Sequence, residues 1–257
     1  MSWSSRRKTI FILIVSAVFL TIVALTLVAT LYEAPSCADG KQNQDERGID
    51  CGGSCKFLCI ADVREPSVRF VRYLTNTPGR IDAIAYIDNP NPREAVRDAR
   101  FTVTIYDANG EIGKQEGIAD LPPAMTVPVF FPGVARTSAV PVRAFLSFDE
   151  SSLKWFRVVP EAAPLAVLDT RITETEDGSR ITARVRNMGV TDYYDVDIVA
   201  TVFDAENNAI AASASVVDVP AGGETPLVFT WSTPFAVPPA RAEILPFITL
   251  PISAGRE

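Results

Sequence analysis

From Thr9 to Leu31 the chain runs through 23 residues without a charge, and no helical hydrophobic period is sustained after that. The rest is written in period two. In Phe101-Thr-Val-Thr-Ile-Tyr106, Val103 and Ile105 point one way and Thr102 and Thr104 the other, as a half-buried strand requires. Asp107-Ala-Asn109-Gly110 follows as a turn suited to positive φ, and Asn207-Asn208 stands at the matching place further on. The runs recur at an offset of 97 to 98 residues: Ile81–Asn89 aligns with Ser179–Asn187, Phe101–Ala108 with Ile198–Ala205, Pro128–Phe131 with Pro226–Phe229, and Leu121-Pro122 with Val219-Pro220. Strand-length runs separated by turn residues predict an all-β fold. It comprises two tandem immunoglobulin-like β-sandwiches after one N-terminal transmembrane helix and a small disulfide-rich segment.

At about 1.5 Å per residue, 23 residues reach ~34 Å, enough to cross a hydrocarbon core of about 30 Å. Arg6, Arg7 and Lys8 precede the stretch, while Glu33 and Asp39 follow it. The excess of cations on the N-terminal side places that end in the cytoplasm. A cleaved signal peptide has an apolar region of only about 7–15 residues before a small-residue site. Leu27-Val28-Ala29 is a poor cleavage site, and Ala34-Pro35-Ser36-Cys37 a poor lipoprotein signal. The expected product is a single-pass cell-membrane protein with residues 33–257 extracytoplasmic. Its parts are a cytoplasmic tail (1–8), a transmembrane helix (9–32), a Cys-rich segment (33–65) and sandwiches at 66–155 and 156–257. Trp155-Phe156, in the connector, is expected to pack at the seam between the sandwiches and stiffen them into a rod.

All four cysteines, Cys37, Cys51, Cys55 and Cys59, fall in one window. In an oxidising compartment an even count in so short a span reads as two disulfides, with three pairings open. A tetrathiolate zinc site is the alternative. Asp39, Asn43, Asp45, Glu46 and Asp50 are hard oxygen donors of the kind calcium accepts, but their spacing is not that of an EF-hand. The competing reading has Asp39 and Asn43 capping turns, with Gly40, Gly48, Gly52 and Gly53 supplying positive φ.

The net charge is −7, and removing the three cations before the helix leaves −10 on the remainder, which disfavours nucleic acid and anionic lipid as partners. There is no histidine, so the commonest general base is missing. Ser151-Ser-Leu-Lys154 matches the Ser-x-x-Lys acyl-enzyme motif, but lies in a connector without that motif's partner sequences. Tyr193 and Tyr194, between Asp192 and Asp195, are a candidate contact patch; the alternative places them half-buried at a strand start.

Cys-x-Asp-Gly-x-x-Asn-x-x-Glu-x-Gly-x-Asp-Cys-Gly-Gly-x-Cys, spelled by residues 37–55, resembles a small Cys-rich module of bacterial and archaeal surface proteins, which implies export. The repeated segments, through Thr104-Ile-Tyr-Asp107 and Thr201-Val-Phe-Asp204, resemble FxLYD or CARDB-type immunoglobulin-like domains. A shared sandwich implies fold more than function. The expectation is a non-enzymatic, membrane-anchored extracytoplasmic scaffold or recognition protein that binds a protein or glycan partner. The alternatives are an accessory subunit of a secretion or pilus machine, and an extracytoplasmic hydrolase using carboxylates or calcium.

Overall fold

The computed structural model describes residues 3–31, 36–43, 45–159 and 164–248. Helix α1 (Trp3–Leu31) contains a 23-residue span, Arg6–Val28, long and apolar enough to cross a membrane, and none of its described side chains is buried. Leaving such side chains in water forfeits ~1.5–3 kcal/mol for each large one.

The first sandwich is built from β1 (Ser67–Thr77), β2 (Arg80–Asn89), β3 (Glu94–Tyr106), β4 (Glu111–Leu121), β5 (Met125–Arg136), β6 (Arg143–Phe148) and β7 (Trp155–Arg157). One antiparallel sheet has the order β1-β2-β5; the other has β4-β3-β6, with β7 added on the start of β3. The second sandwich uses β8 (Leu165–Thr175), β9 (Gly178–Asn187), β10 (Tyr193–Phe203), β11 (Ala209–Val219), β12 (Glu224–Trp231) and β13 (Arg241–Phe247), in the orders β8-β9-β12 and β11-β10-β13. β8–β13 thus pair as β1–β6 do. Placing the first, second and fifth strands against the third, fourth and sixth is the immunoglobulin-type arrangement.

Each sandwich closes on its own core. Ala83, Ala85, Ile87, Phe101, Val103, Ile105 and Phe131 fill the first; Ile181, Val185, Ile198, Ala200, Val202 and Phe229 fill the second. Inward positions alternate with outward ones along each strand, as the period-two pattern predicts. Matched devices recur at the same strand ends. Asn89 Nδ2 donates to Leu121 O (3.1 Å) and its Oδ1 accepts from Asn91 N (3.0 Å); Asn187 Nδ2 donates to Val219 O (3.2 Å) and its Oδ1 accepts from Gly189 N (2.9 Å). Both asparagines are buried, so each satisfies backbone groups that water cannot reach. Asp98 and Asp195 both take positive φ, and their amides donate to Asp120 and Asp218 respectively.

The sandwiches are stacked face to face. Leu74, Ile84 and Tyr86, on the outer face of β1-β2-β5, pack with Val199, Phe203, Ala209 and Ala212, on the outer face of β11-β10-β13. β2 and the end of β10 are therefore buried on both sides: every residue from Ile81 to Ile87 and from Ile198 to Phe203 is buried. This replaces the rod with its stiffening connector. Trp155 belongs to the first core, and Phe156-Arg157 pair with β3, so the first sandwich extends past residue 155. The seam is made by sheet faces.

Candidate binding surfaces

The Cys-rich segment is a knot fused to the first sandwich. Its bridges are Cys37–Cys55 and Cys51–Cys59, with Cα separations of 5.7 and 5.0 Å. No described cysteine is free, so the tetrathiolate zinc alternative has no thiolates to use. Leu58 N donates to Trp155 O (2.9 Å), Phe57 bridges Phe156, and the Asn91 side chain brackets Arg64 through its amide and carbonyl (2.8 and 2.7 Å). Leu58 is itself part of the first core. The Gly52-Gly53 pair has a steric reason at Gly53, where φ is +58° and a Cβ would collide with the Asp45 carbonyl.

The five proposed calcium donors are mostly engaged with the chain itself. Asp39 accepts from the amides of Ser36 and Lys41 and from Asn43 Nδ2. The Asn43 amide, and then the Lys41 backbone, hold its carboxyl below the usual value. Asp50 takes the Gly40 amide on both oxygens, and Asp45 accepts from Ser54 Oγ. Glu46 is buried, accepts from Asn43 N, and lays Oε1 3.3 Å from Cys55 Sγ, a disulfide sulfur with no proton to give. Among the described residues, Glu46 with the bonded sulfurs of Cys37 and Cys55 is the one acid and cysteine set whose ligand atoms lie within 4.8 Å of one another. Asn43 Oδ1 is buried without a hydrogen-bond partner. Asp39 thus holds a turn through the Ser36 and Lys41 amides, and Gly40, Gly52 and Gly53 take positive φ whereas Gly48 does not.

Tyr193 and Tyr194 are divided by the strand they begin. Tyr193 is half-buried against the second core, whereas Tyr194 is 70% exposed and donates to Asp192 Oδ2 (3.3 Å). They do not form one patch. Ser151 Oγ donates to Asp149 Oδ1 (2.6 Å) in a single 3₁₀ turn, while Lys154 Nζ lies over the Phe57 ring. The Ser-x-x-Lys match is therefore not assembled as a nucleophile and base.

Two concave sites lie at the seam, and a third, of about 530 Å³, lies on the second sandwich against Thr173, Gly178 and Trp231. One side of the seam opens into a cleft of about 470 Å³ floored by Phe70, Tyr86 and Phe203. Phe70 stacks on Tyr86 (centroids 4.6 Å apart, 21° between planes), and Phe203 meets both rings edge-on at 6.4 and 6.1 Å. Arg241 lies 3.8 Å over Phe203, donates to Asn207 Oδ1 from Nη2 (2.9 Å), and pairs with Glu243 (3.6 Å). Tyr86 Oη donates to Glu243 Oε2 (3.1 Å), and burial pushes this phenol well above its ordinary pKa. On the rim from the first sandwich, Arg69 pairs with Asp88 (2.9 Å), which also accepts from Thr126 Oγ1. A second groove of about 260 Å³ opens elsewhere along the seam, with Asp98, Asp120 and Asp197 on its walls. Burial, and then the charges of Asp120 and Asp195, raise the Asp197 carboxyl.

No protein-family model matches the chain, and no curated protein does. Among solved structures it is similar to a β-glucuronidase of glycoside hydrolase family 2, at 11% identity and a TM-score of 0.23. That match covers 59% of this chain and 20% of the enzyme. It is similar to the calcium-binding domain CBD12 of CALX1.1 at 11% identity and a TM-score of 0.21, over 70% of this chain and 80% of that one. The CBM22-1-CBM22-2 tandem domain of Paenibacillus barcinonensis Xyn10C matches at 8% identity and a TM-score of 0.16, over 83% and 91%. At such scores these likenesses say nothing of ligand or activity, and the fold stands on the strand order described above.

Proposed function

We propose that the protein is a non-catalytic, single-pass membrane scaffold that presents two copies of one FxLYD/CARDB-type sandwich outside the cytoplasm, where they bind a protein or glycan partner. The observation that carries this reading is the junction after α1. An unburied apolar helix leads, within a few residues, into a doubly disulfide-bonded knot that shares the core of the first sandwich. Disulfides persist in oxidising compartments, which agrees with a positively flanked N-terminus left in the cytoplasm. The seam makes the two sandwiches one body, so the partner meets a fixed surface and not two modules on a tether. Exchanging residues 1–32 for an unrelated single-pass anchor tests the role. Partner capture by cross-linking in native membranes should persist, and its loss would move specificity into the helix, as in an accessory subunit of an envelope machine.

A further inference from the structure

We propose that the seam cleft is a binding site for a neutral saccharide, which deepens the scaffold reading by naming a ligand class for one of its surfaces. Its volume of about 470 Å³ lies in the range of roughly 300–1,000 Å³ typical of small-molecule pockets, which favour boundaries between domains. The floor is aromatic. Tyr86 and Phe203 are buried, and Arg241 covers one face of Phe203, so half-buried Phe70 is the ring left to meet a ligand. The face of an aromatic ring carries negative partial charge and attracts the weakly positive C–H face of a pyranose.

The rim selects against charge. Arg69 stands with Asp88 and Arg241 with Glu243, so two cations and two anions cancel. An ionic ligand would pair with one member and leave the other uncompensated. A vicinal diol suits both, accepting from guanidinium N–H groups, of which each arginine has five, and donating to carboxylate lone pairs. Asn207 and Thr126 add short polar groups at the same edge. The ligand groups come from both sandwiches: Arg69, Phe70 and Thr126 from the first, Asn207, Arg241 and Glu243 from the second. The site exists only in the stacked form, and occupancy stabilises the stack by mass action.

The test uses the full chain in lipid nanodiscs. Cellotetraose, xylotetraose, mannotetraose and chitotetraose are compared with the anionic tetragalacturonate, by saturation-transfer NMR and titration calorimetry. The expected result is saturable binding of at least one neutral tetrasaccharide, with tetragalacturonate weaker by about tenfold or more. Arg69→Ala, and Asn207→Gly, which keeps the positive φ of residue 207, should each weaken binding about tenfold to a hundredfold at an unchanged melting temperature. The proposal is overturned if no neutral probe binds, if the anion binds more tightly, or if both variants bind as the parent does. None of these outcomes touches the anchored-scaffold reading, which membrane topology decides.

Discussion

Ala212→Lys should separate the two sandwiches without unfolding either. Ala212 is 4% exposed on β11, opposite Thr201 in the ladder and packed in the seam with Ile84, Tyr86 and Phe203. The matching residue of the first sandwich is Lys114, which is exposed. An ammonium held in the seam without a partner costs several kcal/mol after relaxation, and the added methylenes crowd a packed site by about 1–3 kcal/mol more. The seam's own gain comes from a handful of large apolar side chains at ~1.5–3 kcal/mol each, before the entropy of docking is subtracted. The penalty is thus of the same size as the gain. Because the inner cores are separate clusters, undocking leaves them intact. Amide hydrogen exchange on the full chain in nanodiscs should show faster exchange in peptides covering β2 and β10, with β9 unchanged. Unaltered exchange in β2 and β10 would refute the face-to-face stack.

Four further outcomes follow from the same geometry. Asn89→Ala strands the carbonyls of Leu121 and Pro122 and the amide of Asn91, at about 1–3 kcal/mol for each buried orphan. A total of about 3–9 kcal/mol should lower the melting temperature of the first sandwich by more than about 10 °C, and a drop of only a degree or two in calorimetry would contradict the network. The Asn208 side chain, and then its backbone amide, hold the Asp204 carboxyl below its ordinary 3.8. That stabilisation is complete above pH ~4 and lost as pH falls through the lowered value. Asp197 is raised, so its sign is opposite: stability falls as pH climbs from 3.8 through the raised value. Asp197→Asn should slow seam exchange at pH 7 but not at pH 4, and equal exchange at both would count against the assignment. For the knot, with Asp39, Asp45 and Asp50 engaged by backbone and serine donors, the melting temperature of the intact chain should be the same in calcium and in chelator. A rise with calcium, reversed by chelator and abolished by Asn43→Ala, would show an ion held at the unpartnered Asn43 oxygen.

Period two, the turn residues and the 97-to-98-residue offset were enough to place the strands and to separate inward from outward positions in β3 and β9. The stacking was legible too, but in the exceptions to alternation. β2 reads Ile81-Asp-Ala-Ile-Ala-Tyr-Ile87, apolar on both faces, where β9 reads Arg180-Ile-Thr-Ala-Arg-Val-Arg186. Ile84 and Tyr86 stand where the second sandwich has Thr182 and Arg184, while Val199 and Ala212 stand where the first has Thr102 and Lys114. Those exchanges mark the faces that dock. Trp155-Phe156 misled because an aromatic pair in a connector signals burial without saying against what; a strand added to β3 and the knot supply the cover. The disulfide pairing was not legible because spacing alone leaves three choices. The seam cleft was not legible because Arg69, Phe70, Asn207 and Arg241 are brought together only by docking.

The most direct test of the central claim is the side of the membrane on which the knot lies. All four cysteines sit in that knot. Intact cells expressing the chain would be mildly reduced and treated with a membrane-impermeant maleimide, with the membrane fraction washed in carbonate. The account predicts a carbonate-resistant membrane protein labelled at Cys37, Cys51, Cys55 and Cys59 without permeabilisation. Labelling only after lysis, or release of the chain by carbonate, would contradict it.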